Sequence, residues 1–324
     1  MSAAKLKLAA ATLGVLALAA VSLFVGVSDV SLASLLSSAP GDRPMQVLLI
    51  SRIPRTVALV LAGMSMAVAG LIMQMLARNR FVEPSTAGTV ESASLGILAV
   101  TILAPAAPLM GKMAVAAVFA LAGTFLFMRI LRAVPMRSSL VVPLVGIMLG
   151  GVIGAVTQFF AYQYDLLQTL GAWTTGDFSG VIRGRYELIY LAAGLTLVAF
   201  FTADRLTVAG MGEDFTTNLG LNYKRVMALG LTIVAMVTAV VLVTAGSIPF
   251  LGLIVPNLVS AVMGDNMRRS IPWIALTGAA FVLLSDIAGR LIRFPYEIPI
   301  GTVFGVVGSA LFLWLLLSRR RQHA

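Results

Sequence analysis

Residues 209–225, AGMGEDFTTNLGLNYKR, run straight into residues 226–245, VMALGLTIVAMVTAVVLVTA. The second stretch holds no charged side chain. At about 1.5 Å per residue it forms a helix of roughly 30 Å, the thickness of a bilayer's hydrocarbon core. The first stretch is polar, punctuated by Gly210, Gly212 and Gly220, and set between two apolar segments. A loop of that length between spans is more often functional than idle. What it touches lies outside the membrane, so a soluble partner is expected there.

The rest of the chain repeats the apolar pattern. Of 324 residues 59% are hydrophobic and 11% charged, and the mean hydropathy is +0.99. That composition predicts an all-α integral membrane protein. Ten spans are expected, near Leu6–Val27, Val47–Ala77, Thr86–Ala104, Leu109–Leu131, Leu140–Tyr162, Tyr186–Thr202, Val226–Ala245, Phe250–Gly264, Ile271–Leu291 and Ile298–Leu317. The eighth is short, and its Val255-Pro256 step predicts a broken or re-entrant helix. The first follows Lys5 and Lys7 as a signal peptide would, but its apolar run is long and no small-x-small cleavage site follows directly, so it reads as an anchor.

Fifteen of the 23 Lys and Arg residues fall on the side of the N-terminus and eight on the other. The positive-inside bias then places both termini and the 209–225 loop in the cytoplasm. The formal charge of +10 is accounted for by topology and by contact with anionic membrane lipid. No nucleic-acid role is expected, because a soluble basic surface is lacking.

Cysteine is absent and the sole histidine is His323 in the tail. Thiol catalysis, zinc hydrolysis, haem ligation and a Ser-His-Asp arrangement all need side chains missing from the spans. There is no GxxxxGK[ST] to cradle phosphates. Gly210-Met211-Gly212-Glu213 is close to the GxGD of intramembrane aspartyl proteases, but it has Glu for Asp, sits in a loop and lacks a partner motif. No catalytic residue, bound cofactor or metal is therefore expected of this chain.

What remains are packing devices and polar residues at membrane depth. Gly146, Gly150 and Gly154 recur every fourth residue in the fifth span, as do Gly301, Gly305 and Ser309 in the tenth. Such stripes let helices approach closely, either within one bundle or against a second subunit or pathway. Gln74, Glu91, Gln158, Asn257 and Asp286 are functional candidates by their cost in hydrocarbon. Glu91 also suits a helix N-terminus, and Asp286 an ion pair with Arg290 four residues on. Arg52, Arg55, Arg290 and Arg293 lie on the external side against the bias, as a cluster kept to hold something acidic would. In the loop, the glycines permit tight turns around a short helical piece capped by Asp214 or Thr216. Phe215 and Leu219 would then form an exposed apolar knob.

Arg52-Ile53-Pro54-Arg55 through Gly70 and Gln74, then Arg78-Asn79-Arg80-Phe81-Val82-Glu83-Pro84, resembles the RxPR…G…MQ…RNPLAxP signature of the FecCD family, permease subunits of ATP-binding-cassette importers for iron-siderophores, haem and vitamin B12. The resemblance continues through Gly246–Pro256, Asp286-Ile287-Ala288-Gly289-Arg290, Glu297-Ile298-Pro299-Ile300-Gly301 and Phe312-Leu313-Trp314-Leu315-Leu316. Where many members have VPHxxR, this chain has Val255-Pro256-Asn257-Leu258-Val259-Ser260. That variant and Glu213-Asp214-Phe215-x-x-Asn218-Leu219-Gly220 look like the branch for petrobactin, anguibactin and catecholate siderophores. The resemblance implies one permease domain over 1–324 with a type II importer bundle, and a coupling loop at 203–225 whose Glu213, Asp214, Phe215, Asn218, Leu219 and Gly220 fill a cleft on an ATPase. It implies a second permease subunit, a heterodimer being favoured over a homodimer, with the fifth and tenth spans near a shared pathway. Two ATP-binding subunits carrying ATP and Mg, and an external binding protein met by Arg52, Arg55 and Arg290, complete the expected assembly in a bacterial cytoplasmic (inner) membrane. A secondary transporter driven by an ion gradient, with Glu91 and Asp286 as coupling sites, is the alternative.

Overall fold

The computed structural model describes residues 3–26, 42–134, 141–264 and 266–320. Val27 and Leu140, the expected ends of two spans, lie outside the described residues, as do Arg137, Arg321 and His323. Among the described residues there is no strand. The helices are α1 (Ala3–Phe24), α2 (Arg43–Leu76), α3 (Thr89–Leu103), α4 (Leu109–Ala133), α5 (Val141–Gln163), α6 (Leu167–Thr174), α7 (Ile189–Phe201), α8 (Ala203–Met211), α9 (Glu213–Asn218), α10 (Tyr223–Ala245), α11 (Leu251–Met263), α12 (Met267–Leu291) and α13 (Ile300–Arg320). Each of the ten apolar segments contains one. Six (α1, α2, α4, α5, α10 and α12) are long and apolar enough to cross a membrane alone, α7 and α8 pass together as a bent pair, and α3, α11 and the first turns of α13 are shorter apolar helices.

The bundle is built around α2. Its residues from Ala58 to Leu76 are almost wholly buried, and α12 packs antiparallel to it where two glycines meet. A Cβ on Gly63 would lie 2.6 Å from the Gly278 carbonyl oxygen. Further along, α11 lies so close that a Cβ on Gly70 would fall 2.0 Å from the Gly252 oxygen. Removing two Cβ atoms is what allows three helices to share one axis region, and the gain is dispersion contact. By contrast α1 and α5 sit at the margin with mostly exposed apolar side chains, among them Leu13, Leu16, Ile147, Met148, Val152 and Phe159.

The expected break at Pro256 is not there: α11 continues through it. Proline cannot donate to the carbonyl four residues back, which is Gly252. Gln74 reaches across from α2 and donates its Nε2 to that oxygen at 3.2 Å, so the orphaned acceptor is satisfied without interrupting the helix. The start of α11 is held by Glu83, in the connection between α2 and α3, whose Oε1 accepts the Phe250 N–H at 2.7 Å. Burial pushes this carboxyl up to about 7, against the lowering effect of hydrogen bonds from Ser85 and the Phe250, Gly252 and Leu253 backbone. The real discontinuity is at Thr202, where α7 and α8 bend by 67°.

Candidate functional site: the two ends of the bundle

The α8–α9 end carries the segment expected to be a loop. Most of it is helical, with apolar Ala203, Leu206 and Ala209 of α8 buried against the bundle. Gly212, at φ +123°, makes the sharp joint to α9. Neither Asp214 nor Thr216 caps α9, which corrects the expectation. Gly212 itself occupies the cap position, and buried Thr216 points back, donating its hydroxyl toward the Gly212 and Val208 carbonyls. That anchor fixes the outer face of α9. Glu213, Asp214, Phe215, Asn218, Leu219 and Gly220 are all exposed, with Phe215 at 48% and Leu219 at 57%. Leu219 N–H donates to the Phe215 carbonyl, so the pair has helical spacing and stands on one side.

At the opposite end Arg52, Arg55 and Arg290 converge, but not as three outward-facing charges. Arg52 is 7% and Arg290 2% exposed. Arg290 Nη1 donates to the Ser22 and Val25 carbonyls at 3.0 and 2.6 Å, and Nη2 to Ser22 Oγ at 2.6 Å. Its ion pair with Asp286, one helical turn away, forms as the spacing predicts. Asp286 Oδ1 also takes Arg55 Nη2 at 2.6 Å, while Arg55 Nη1 reaches Glu297 at 2.7 Å. Arg52 donates to the Val25 carbonyl and ends a π-helical turn, Leu48–Arg52, in α2. That turn presents the Ile50 carbonyl to the Arg183 N–H at 2.9 Å. Exposed positive charges at this end include Arg43, Arg183, Arg185 and Arg293, with Arg293 lying 5.7 Å from the centre of the Tyr296 ring.

The glycine stripes divide. A Cβ on Gly146 would strike the Thr86 carbonyl at 1.9 Å, and one on Gly301 the Gly176 amide at 2.6 Å, so these two serve packing inside the chain. Gly150 faces the Glu91 carboxyl at 3.2 Å. Gly154 and Gly305 meet nothing within 4 Å, and Ser309 donates to the Gly305 carbonyl. On α5, Gln158 is exposed at the same level. Among the described residues no group of His, Asp or Glu is placed to hold a metal ion.

A ten-segment helical bundle bent at Thr202, with a short exposed helix at one end and a buried charge cluster at the other, is matched along nearly its whole length. The family model described as the FecCD transport family aligns with residues 14–318. The chain belongs to the FecCD transport family. Among curated relatives of this FecCD permease is the petrobactin import system permease protein YclN of Bacillus subtilis, 50% identical and covering 94% of this chain and 95% of its own length. The ferric-anguibactin transport system permease protein FatD of Vibrio anguillarum is 40% identical over 93% of the chain and 95% of its own. A solved structure described as a metal-chelate type ABC transporter in an inward-facing conformation superposes with a TM-score of 0.79, covering 96% of this chain and 98% of its own, at 24% identity. That likeness shows the fold.

Proposed function

We propose that this FecCD permease is the membrane subunit of an ATP-driven importer that moves a ferric siderophore, of catecholate type, into a bacterial cytoplasm by alternating access. The observation that carries the proposal is α9, which offers Phe215 and Leu219 to water while buried Thr216 holds it to the bundle. An exposed apolar pair on a rigidly seated helix fits a partner groove and has no use as a linker. The partner of this end is an ATP-binding subunit, two per assembly, each carrying its own ATP and Mg. Their closure pushes α8 and α9, and the permease pair shifts between outward and inward states.

The opposite end receives the extracytoplasmic binding protein. Of the three arginines expected to meet it, Arg55 is the least buried, its side chain 11% exposed, and Arg52 and Arg290 act from beneath by fixing the charge cluster. A second permease subunit, a non-identical one in keeping with the branch resemblance, covers the open faces of α5 and α13 around Gly154 and Gly305. Petrobactin and anguibactin in the names of the relatives support the siderophore assignment. The ion-driven alternative loses one of its two coupling sites, because Asp286 is held between Arg55 and Arg290.

The test is the double substitution Phe215→Ala with Leu219→Ala, purified with its cognate ATPase. The variant is expected to insert and fold but to lose the ATPase on purification. Full retention of the ATPase together with normal uptake would refute the assignment of α9.

A further inference from the structure

A cavity of about 270 Å³ opens at the α8–α9 end, between the C-terminus of α2, Gly210 of α8, the end of α11 and the start of α12. Its lining is mixed, with apolar Leu71, Met75 and Met267, polar Gln74, Asn79, Ser260 and Ser270, and the two arginines Arg78 and Arg80. No acidic side chain lines it among the described residues.

Arg78 sits in an unusual place. The last turn of α2 closes with Asn79 N–H donating to the Gln74 carbonyl and Arg78 N–H to the Met75 carbonyl. These two bonds define a Schellman cap, and its left-handed position, normally glycine, is occupied by Arg78 at φ +48°. A non-glycine residue there costs energy that glycine would avoid. The exposed guanidinium makes no hydrogen bond or ion pair among the described residues. It lies directly over Gly212, where a Cβ would come 2.7 Å from Nη2.

We infer that this cavity is a binding site for a phosphate-bearing anion, gripped by Arg78 with Arg80 beside it, the apolar remainder of the ligand resting on Leu71 and Met75. A guanidinium fork matches two phosphate oxygens. Basic pockets between helices at a membrane face suit anionic headgroups. Because the guanidinium covers Gly212, the bound phosphate lies beside the joint between α8 and α9. The site does not depend on which siderophore is carried.

Arg78→Gly gives a direct test, since it removes the guanidinium while placing the favoured residue in the left-handed position. The full chain in detergent is titrated with short-chain phosphatidylglycerol, short-chain phosphatidylcholine and inorganic phosphate, with bound ligand read by native mass spectrometry and thermal shift. The wild type is expected to bind phosphatidylglycerol at one site at least tenfold more tightly than phosphatidylcholine. Arg78→Gly should lose about tenfold or more in that affinity with no fall in the unliganded melting temperature, and Arg78→Lys should fall between. Binding of inorganic phosphate as tight as that of phosphatidylglycerol, with the same loss in Arg78→Gly, supports the site with a free phosphate as its source. Equal affinity for the two lipids, or an Arg78→Gly variant that binds like the wild type, overturns the proposal.

Discussion

Asp286 shows what one side chain does in this fold. It is fully buried, and its two oxygens answer guanidiniums from α2 and from its own helix. Removing it strands Arg290 and much of Arg55 without a counter-charge, and breaking a buried pair this way costs about 3–5 kcal/mol. Asp286→Ala is therefore expected to lower the yield of folded protein sharply, whereas Glu297→Ala, at the more exposed edge, should cost about 1 kcal/mol or less. Thermal unfolding in detergent measures both, and equal stability of the two variants would contradict the picture. The i,i+4 pair of Asp286 with Arg290 was legible in the sequence because helical spacing makes it local. The contact with Arg55 joins residues 231 positions apart, and no periodicity announces it. For the same reason Gln74 was visible as a costly polar residue, but not as the partner of the carbonyl that Pro256 leaves free. Arg52 and Arg290 read as an outward cluster because the Lys and Arg count locates a side of the membrane, not a direction toward water.

Among elements, the apolar helices were the most legible, since each requires a run of apolar residues that single-sequence hydropathy detects. The helical content of 203–218 was less so: α8 is short, polar on one face and buried only through Ala203, Leu206 and Ala209. The exposed pair Phe215 and Leu219 follows from their four-residue spacing, whereas the cap does not follow from residue type, because Thr216 serves the preceding turn instead. The glycine stripes mix two purposes that share one spacing. The close approaches that organise the core, Gly63 with Gly278 and Gly70 with Gly252, lie in other helices, where Gly63, Ala67 and Gly70 gave the available signal. Gly70→Ala is expected to destabilise by about 1–3 kcal/mol through forced separation of α2 and α11, seen as a lower melting temperature. Gly305→Leu should leave the isolated chain's melting temperature nearly unchanged, since a Cβ there meets nothing within 4 Å, yet reduce assembly with the second permease or uptake. A loss of stability equal to that of Gly70→Ala would place Gly305 in the chain's own core.

At the scale of the whole molecule, the bundle offers two differently built ends, a seated helix with an apolar knob and a rim over a buried charge cluster, as a device that relays motion across a membrane requires. Their orientation is predicted by the distribution of Lys and Arg. Reporters fused near Asp214 should read cytoplasmic and those near Asp177 external; the reverse pattern would invert the roles of the ends. The proposed function requires this chain to turn another subunit's ATP cycle into inward transport. It is tested most directly by reconstituting the permease with its ATPase, second permease and binding protein in proteoliposomes and following radiolabelled ferric siderophore. Uptake is predicted to require ATP and the ATPase, to persist when ion gradients are collapsed, and to stop in the Phe215→Ala, Leu219→Ala variant. Uptake by the permease without the ATPase, driven by an imposed proton or sodium gradient, would contradict the account.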